Sequence, residues 1–249
     1  MEKETIKVHD TRVTGISRQE AGALVTIALK GISFQPGQFL MVKTCDGEVR
    51  WGYPYLIEEA GPESVTVLAP ARSDLYRQLP DSEVAVWGPR GRGPLADGDG
   101  TVILVAQPAT VDRILPFLRS TSHRCRLLLM VGENPQGNCQ LFNEQISTVC
   151  INGVEPLCVA LEGMDDSQII AALNPREMLE FRNFAPREIQ QKAWMFMPTK
   201  IGCGIGACVG CVVHSSEAPF GIKICEEGPF LRLDRVDLEA DIHSFVTRV

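Results

Sequence analysis

The sequence predicts an antiparallel β-barrel followed by an α/β domain with a parallel sheet, closed by a cysteine loop at the C-terminus. Three observations carry this. Short apolar runs separated by glycine and proline fill residues 5–88, strand-type and helical runs alternate from Val102 onward, and Cys203, Cys208, Cys211 and Cys225 lie close together near the end. A chain of 249 residues has room for two domains and such a tail. The boundaries read as 1–98 for the barrel, 99–198 for the α/β domain and 199–249 for the cysteine segment.

The expected barrel strands are Ile6–Val8, Ala23–Leu29, Gln38–Val42, Ser64–Leu68 and Val84–Trp87, with Pro36-Gly37 and Gly61-Pro62 as turns between them. Gly98-Asp99-Gly100 breaks the pattern. Beyond it the reading is strand from Val102, helix Val111–Leu118, strand Arg126–Val131, helix Leu141–Val149, strand Leu157–Leu161 and helix Pro175–Gln191. Ala185-Pro186-Arg187-Glu188 carries a helix start signal, with proline in the first turn and an acid near the positive end of the dipole.

Composition excludes some functions. A net charge of −7 without a basic cluster is wrong for nucleic acid, which demands grouped Lys and Arg. The longest apolar run, Val102–Ala106, falls far short of a membrane span. The charged start Met1-Glu2-Lys3-Glu4 has no apolar signal core, so the expectation is a soluble, cytoplasmic protein with free thiols.

The cysteines carry the chemistry. Cys203-x4-Cys208-x2-Cys211 with Cys225 is the plant-type spacing for a [2Fe–2S] cluster on four thiolates. Glycines at 202, 204, 206 and 210 suit a loop that turns sharply and points N–H groups inward. Zinc also takes four cysteines, usually as paired knuckles on separate hairpins, and a disulfide pair needs an oxidising compartment; both stay open as alternatives. Cys45, Cys125, Cys139, Cys150 and Cys158 show no ligand spacing and read as ordinary thiols. His9, His123, His214 and His243 share no metal-ligand spacing, although His214 follows Cys211 closely enough to donate toward a cluster.

The order barrel, α/β domain and glycine-rich cysteine loop resembles one branch of the ferredoxin-reductase superfamily, the electron-transfer subunits of NAD-dependent dihydroorotate dehydrogenases. The motifs that carry the resemblance are Cys203-Gly204-Ile205-Gly206-Ala207-Cys208, Lys223-Ile224-Cys225-Glu226-Glu227-Gly228-Pro229, Pro36-Gly37-Gln38-Phe39 and Gly88-Pro89-Arg90-Gly91-x-Gly93. The resemblance implies FAD between barrel and α/β domain, with Tyr53, Pro54, Tyr55 and Leu56 in the flavin stretch. Relatives carry Arg-Pro-x-Ser there, and a Gly-Thr turn where this chain has Arg72-Ser73-Asp74-Leu75. The lost guanidinium is worth about 1.5–3 kcal/mol per charge-assisted hydrogen bond, and Asp74 is expected to repel a diphosphate. Trp51, Tyr53 and Tyr55 serve equally as barrel packing or as a stacking surface.

The nicotinamide site of relatives departs further. Their glycine-rich turn is Gln107-Pro108-Ala109-Thr110 here, without glycine and with a proline that has no N–H to give. Leu161–Asp166 and Asn174–Met178 likewise keep only the outline of the relatives' motifs. These departures put NAD binding in doubt: an α/β domain kept for packing and partner docking is at least as well supported as a working NAD site. The function expected is an electron-transfer subunit that passes single electrons through a [2Fe–2S] cluster, with FAD, to or from a catalytic flavoprotein subunit in a hetero-oligomer. The alternative is a docking subunit of a larger redox complex that has lost FAD and NAD, and a third reading is a complete NADH-dependent reductase.

Overall fold

The computed structural model describes residues 7–18, 22–45, 51–94, 101–120, 124–131, 147–164 and 167–241. The first strands are β1 (His9–Arg18), β2 (Gly22–Ala28), β3 (Phe39–Thr44), β4 (Tyr53–Ala60), β5 (Ser64–Pro70) and β6 (Glu83–Arg90). They close into a barrel in the order β1-β2-β5-β4-β3-β6. In β2 and β5, buried residues such as Val25 and Ile27, Val65 and Val67 alternate with more exposed ones, the period-two pattern of a strand with one face inward. Two strands differ from the expectation. The first begins at His9, beyond the expected Ile6–Val8, and Val13 is its one fully buried side chain, so its sequence signal is weak. The other, β4, carries Pro54 in its interior, which masks a strand pattern.

The second domain follows as β7 (Thr101–Ala106), α1 (Leu115–Ser120), β8 (Arg124–Val131), β9 (Ser147–Asn152), α2 (Val154–Leu161), β10 (Ser167–Ala172), α3 (Pro175–Phe184), α4 (Arg187–Lys192) and β11 (Ala193–Phe196). The last elements are β12 (Val212–Val213), β13 (Ile222–Lys223), α5 (Ile224–Glu227) and β14 (Phe230–Arg232). The large sheet runs β14-β11-β10-β7-β8-β9, parallel except for β14. Val102 to Ala106 are all buried because β7 is covered on both faces, which produces a continuous apolar run.

Several expectations are corrected here. The expected strand Leu157–Leu161 is the end of α2. Val154, Leu157, Cys158 and Leu161 are its buried residues, at helical spacing, and a short apolar run fits either structure until packing decides. The end of the expected helix Leu141–Val149 lies in strand β9, while residues 141–146 and the Gly98–Gly100 break lie outside the described residues. Val111–Leu118 divides into a 3₁₀ turn, Val111–Arg113, and α1. The expected Pro175–Gln191 helix breaks at Ala185, whose extended conformation is what a following proline imposes. Gln190 Nε2 donates to the carbonyls of Arg182 and Ala185 at that break, so the freed acceptors are satisfied. The start signal at Pro186-Arg187 does open α4.

The crossing from barrel to sheet is tied to the cysteine segment by backbone. Gly91 N–H donates to Cys225 O at 3.1 Å and Arg92 N–H to Gly228 O at 2.9 Å, while Gln38 Nε2 of the Pro36–Phe39 turn donates to Gly91 O at 2.9 Å. Gly91 has φ +74°, and a Cβ there would lie 1.8 Å from Gly228 O. No helix among the described residues is long and apolar enough to cross a membrane.

This contact yields a comparison of two glycines. Gly91→Ala meets both the backbone strain and the Gly228 carbonyl, whereas Gly31, at φ +66°, has nothing within 4 Å of its would-be Cβ. Gly31→Ala is expected to cost about 1 kcal/mol and Gly91→Ala about 3 kcal/mol in urea unfolding. Equal losses would show that the crossing is not held by close approach.

Candidate functional site

The four cysteines come together from two directions. The loop after β11 carries Cys203, Cys208 and Cys211, and α5 carries Cys225; Cys211 and Cys225 are fully buried and Cys203 and Cys208 half-buried. The small β12–β13 hairpin holds the two segments side by side, with Val212 opposite Lys223. Ile224 N–H donates to Cys211 O at 3.1 Å. Backbone donors aim at sulfur: Ile205 and Cys208 N–H each reach Cys203 Sγ at 3.4 Å, and Gly206 N–H reaches Cys225 Sγ at 3.2 Å. Such donors stabilise thiolate and the anionic charge of a metal–sulfur unit.

The thiols form two pairs. The Cys225 thiol's hydrogen bond, joined by backbone N–H groups and opposed by burial, brings Cys211 down to about 6; the same bond and burial push Cys225 up. Burial raises Cys203, but N–H donors at Ile205 and Cys208 and the Cys208 thiol outweigh it and bring that thiol below its usual value. Two pairs of thiols match two irons that each take two thiolates and share bridging sulfides. No three or more His, Cys, Asp or Glu side chains among the described residues close around a single metal ion.

The loop is fixed to the barrel through one indole. Trp87 Nε1 donates to Cys203 O at 3.1 Å, and a Cβ on Gly204, at φ +68°, would lie 2.4 Å from Met41 Cγ and 3.1 Å from Trp87 Nε1. The far edge of the same ring abuts Gly52, where a Cβ would stand 2.5 Å from it. On the outer side of the loop, Lys223 Nζ donates to Gly206 O at 2.6 Å. His214 Nδ1 hydrogen-bonds Asp241 at 2.8 Å, and that carboxylate raises its pKa. Cys150 is disulfide-bonded, in contrast to the ordinary thiol expected there.

All four residues of the expected flavin stretch reach a cleft on the barrel flank. Tyr53, Pro54 and Tyr55 line a cavity of about 620 Å³ together with Trp51, Arg72, Gly202 and Gly210. Pro54, Tyr55 and Leu56 line an adjoining cavity of about 490 Å³ with Arg113 and Phe196. The aromatic patch splits between its two readings. Tyr55 is 3% exposed and packs in the barrel core, its hydroxyl bonded to Ser73 and to Leu75, whereas Trp51 and Tyr53 stay exposed at the cavity. Asp74 also lines the larger cavity and is ion-paired with Arg77 within the turn, which offsets part of the repulsion expected from it. Arg72 and Lys200, which the sequence reading gave no role, both line the cleft. The size, the aromatic wall and these cations fit a flavin.

The turn that replaces the nicotinamide phosphate site is bound to itself and to its neighbour. Gln107 N–H donates to Thr110 Oγ1 at 3.2 Å, Thr110 N–H to Gln107 O at 3.0 Å, and Asn174 N–H to Gln107 Oε1 at 2.7 Å. Thr110 Oγ1 donates in turn to Ala172 O. These bonds stitch the carboxyl ends of β7 and β10 together and occupy the donors that a phosphate would need. The residues present do not fit a dinucleotide at this place.

Comparison with known proteins agrees with this geometry. Residues 199–237 match the family described as the iron-sulfur cluster binding domain of dihydroorotate dehydrogenase B. The chain is 26% identical to the dihydroorotate dehydrogenase B (NAD(+)) electron transfer subunit of Caldanaerobacter subterraneus subsp. tengcongensis, over 85% of this chain and 91% of that one. Its identity to the same-named subunit of Shouchella clausii is 28%, over 82% and 87% of the two chains. Among solved structures, it superposes on a chain of an NADH-dependent reduced ferredoxin-NADP oxidoreductase with a TM-score of 0.69 at 16% identity, covering 96% of this chain and 92% of that chain. The ferredoxin reductase of carbazole 1,9a-dioxygenase gives 0.54 at 13% identity, over 76% and 67%. The fold is therefore ferredoxin-reductase-like, with an iron–sulfur binding segment near its C-terminus.

The Trp87 bond gives a test of loop fixation. Trp87→Phe keeps most of the ring but leaves the Cys203 carbonyl without its donor, a loss of about 1 kcal/mol. Iron release to a chelator, followed by visible absorbance, is expected to be about fivefold faster than in the unsubstituted protein. Release at an unchanged rate would mean that the indole does not hold the loop.

Proposed function

We propose that this protein is the electron-transfer subunit of a two-component oxidoreductase, carrying single electrons between a flavin in the barrel cleft and a [2Fe–2S] cluster on Cys203, Cys208, Cys211 and Cys225. One observation carries the reading: Gly202 and Gly210 of the cysteine loop line the same cavity as Tyr53 of the flavin stretch. Bound groups at these two places are separated by little more than a loop backbone. Cluster and flavin together supply the exchange between one-electron and two-electron chemistry. The chain's own residues hold thiolates by backbone N–H bonds, fix the loop through Trp87 and wall the cavity with Trp51 and Tyr53.

The partner is proposed to be a catalytic flavoprotein subunit, and the compartment the cytoplasm; the relatives' name, electron transfer subunit, supports a partner subunit. Ile205 and Val209 of the cysteine loop are 38% and 80% exposed, and Phe220 of the neighbouring turn is 91% exposed. An apolar surface over the cysteines suits a protein acceptor that has to approach the cluster. Protein purified anaerobically should contain about two irons and two sulfides per chain, together with flavin. Zinc in place of iron would refute the cluster.

The stitched turn at Gln107–Thr110 favours one element of the docking-subunit alternative, the loss of nicotinamide binding. NADH should reduce neither flavin nor cluster in the isolated subunit, while dithionite should bleach both. Rapid bleaching by NADH would refute this element and leave a complete reductase as the reading.

A further inference from the structure

The two cavities on the barrel flank share a waist. Pro54, Tyr55, Pro70, Arg72, Thr199 and Lys200 line both, whereas Trp51 and Tyr53 line only the larger, and Leu56, Arg113 and Phe196 only the smaller. The waist has a cation from each side. Arg72 comes from the turn after β5, and Lys200 from the loop after β11 that leads into the cysteines.

Neither charge is used elsewhere, since no hydrogen bond or ion pair among the described residues engages Arg72 or Lys200. Of the other charges described nearby, only Asp112 of the smaller cavity keeps a buried carboxylate oxygen, Oδ1, without a hydrogen-bond partner. Asp74 is paired with Arg77, and Arg113 lies over the Phe196 ring, 4.5 Å from its centre, beside Asp112. The cleft thus offers an aromatic lobe, a doubly cationic waist and a second lobe with a stacked guanidinium. A ligand that complements this has a flat ring at one end and an anionic linker in the middle.

We propose that Arg72 and Lys200 clamp the diphosphate of a flavin dinucleotide at this waist. This rests on the reading of the cleft as a flavin site, and it replaces the arginine and the Gly-Thr turn that the relatives' motifs carry with two cations at new positions. Arg72 presents a planar fork suited to two phosphate oxygens, and Lys200 a point charge. Its place two residues before Gly202 ties the occupancy of the waist to the segment that enters the cysteine loop.

The test separates ring from phosphate. Full-length protein with its cluster intact and its flavin removed is titrated with FAD and with riboflavin, which has the ring but no phosphate, following quenching of flavin fluorescence. Arg72→Gln and Lys200→Gln, both at exposed positions, are each expected to weaken FAD about tenfold or more and to leave riboflavin unchanged. The FAD affinity of the unsubstituted protein should fall with added salt, and that of the double variant should not. Parallel losses for FAD and riboflavin, a loss confined to one variant, or no loss would overturn the clamp while leaving the flavin site standing. Failure of the unsubstituted protein to bind either flavin would overturn both.

Discussion

One indole holds the functional geometry together. Trp87 leaves the barrel on β6, donates to the carbonyl of Cys203, and is flanked by Gly204 on one side and Gly52 on the other. The two glycines permit approaches that any side chain would block, so the cysteine loop and the start of the flavin stretch are packed against a single rigid ring. The shared wall between cleft and cysteines follows from that contact. Without it, the loop would keep the Lys223 bond to Gly206 O and the hairpin behind it, but no hydrogen bond from the barrel ring to Cys203.

A second constraint fixes the other thiol segment. The crossing at Gly91 and Arg92 hydrogen-bonds Cys225 O and Gly228 O, so the residues that connect the domains also position α5. Cys203 is thereby referred to the barrel through Trp87, and Cys225 through the crossing. The hairpin of β12 and β13 joins the two.

Much of this was legible in the residues, for physical reasons that differ by element. The cysteine spacing and its glycines announced a loop folded over sulfur, because few other structures crowd thiols and positive-φ residues in this way. Strands β2, β5 and β7 were legible because burial on one face or on two leaves distinct periodicities. The run at 157–161 was misread because its helical face appears only when Val154 is included, and β4 was hidden by Pro54. The cations of the cleft could not be read locally. Arg72 and Lys200 lie far apart in sequence and acquire a common role only where the barrel meets the loop after β11. The ion pair that Asp74 makes with Arg77 three residues on was likewise not read from the sequence.

The arrangement describes a subunit in which the nucleotide end of the parallel sheet has been closed by its own hydrogen bonds, while the barrel cleft and the cysteine loop remain joined. On the function proposed above, electrons pass within one chain between the cleft and the cysteines. Laser-flash photoreduction of the flavin in the intact protein tests that path directly, with cluster absorbance followed in time. Cluster bleaching is expected to follow flavin reduction at a rate independent of protein concentration. A rate that rises in proportion to concentration, or a cluster that stays oxidised, would contradict it.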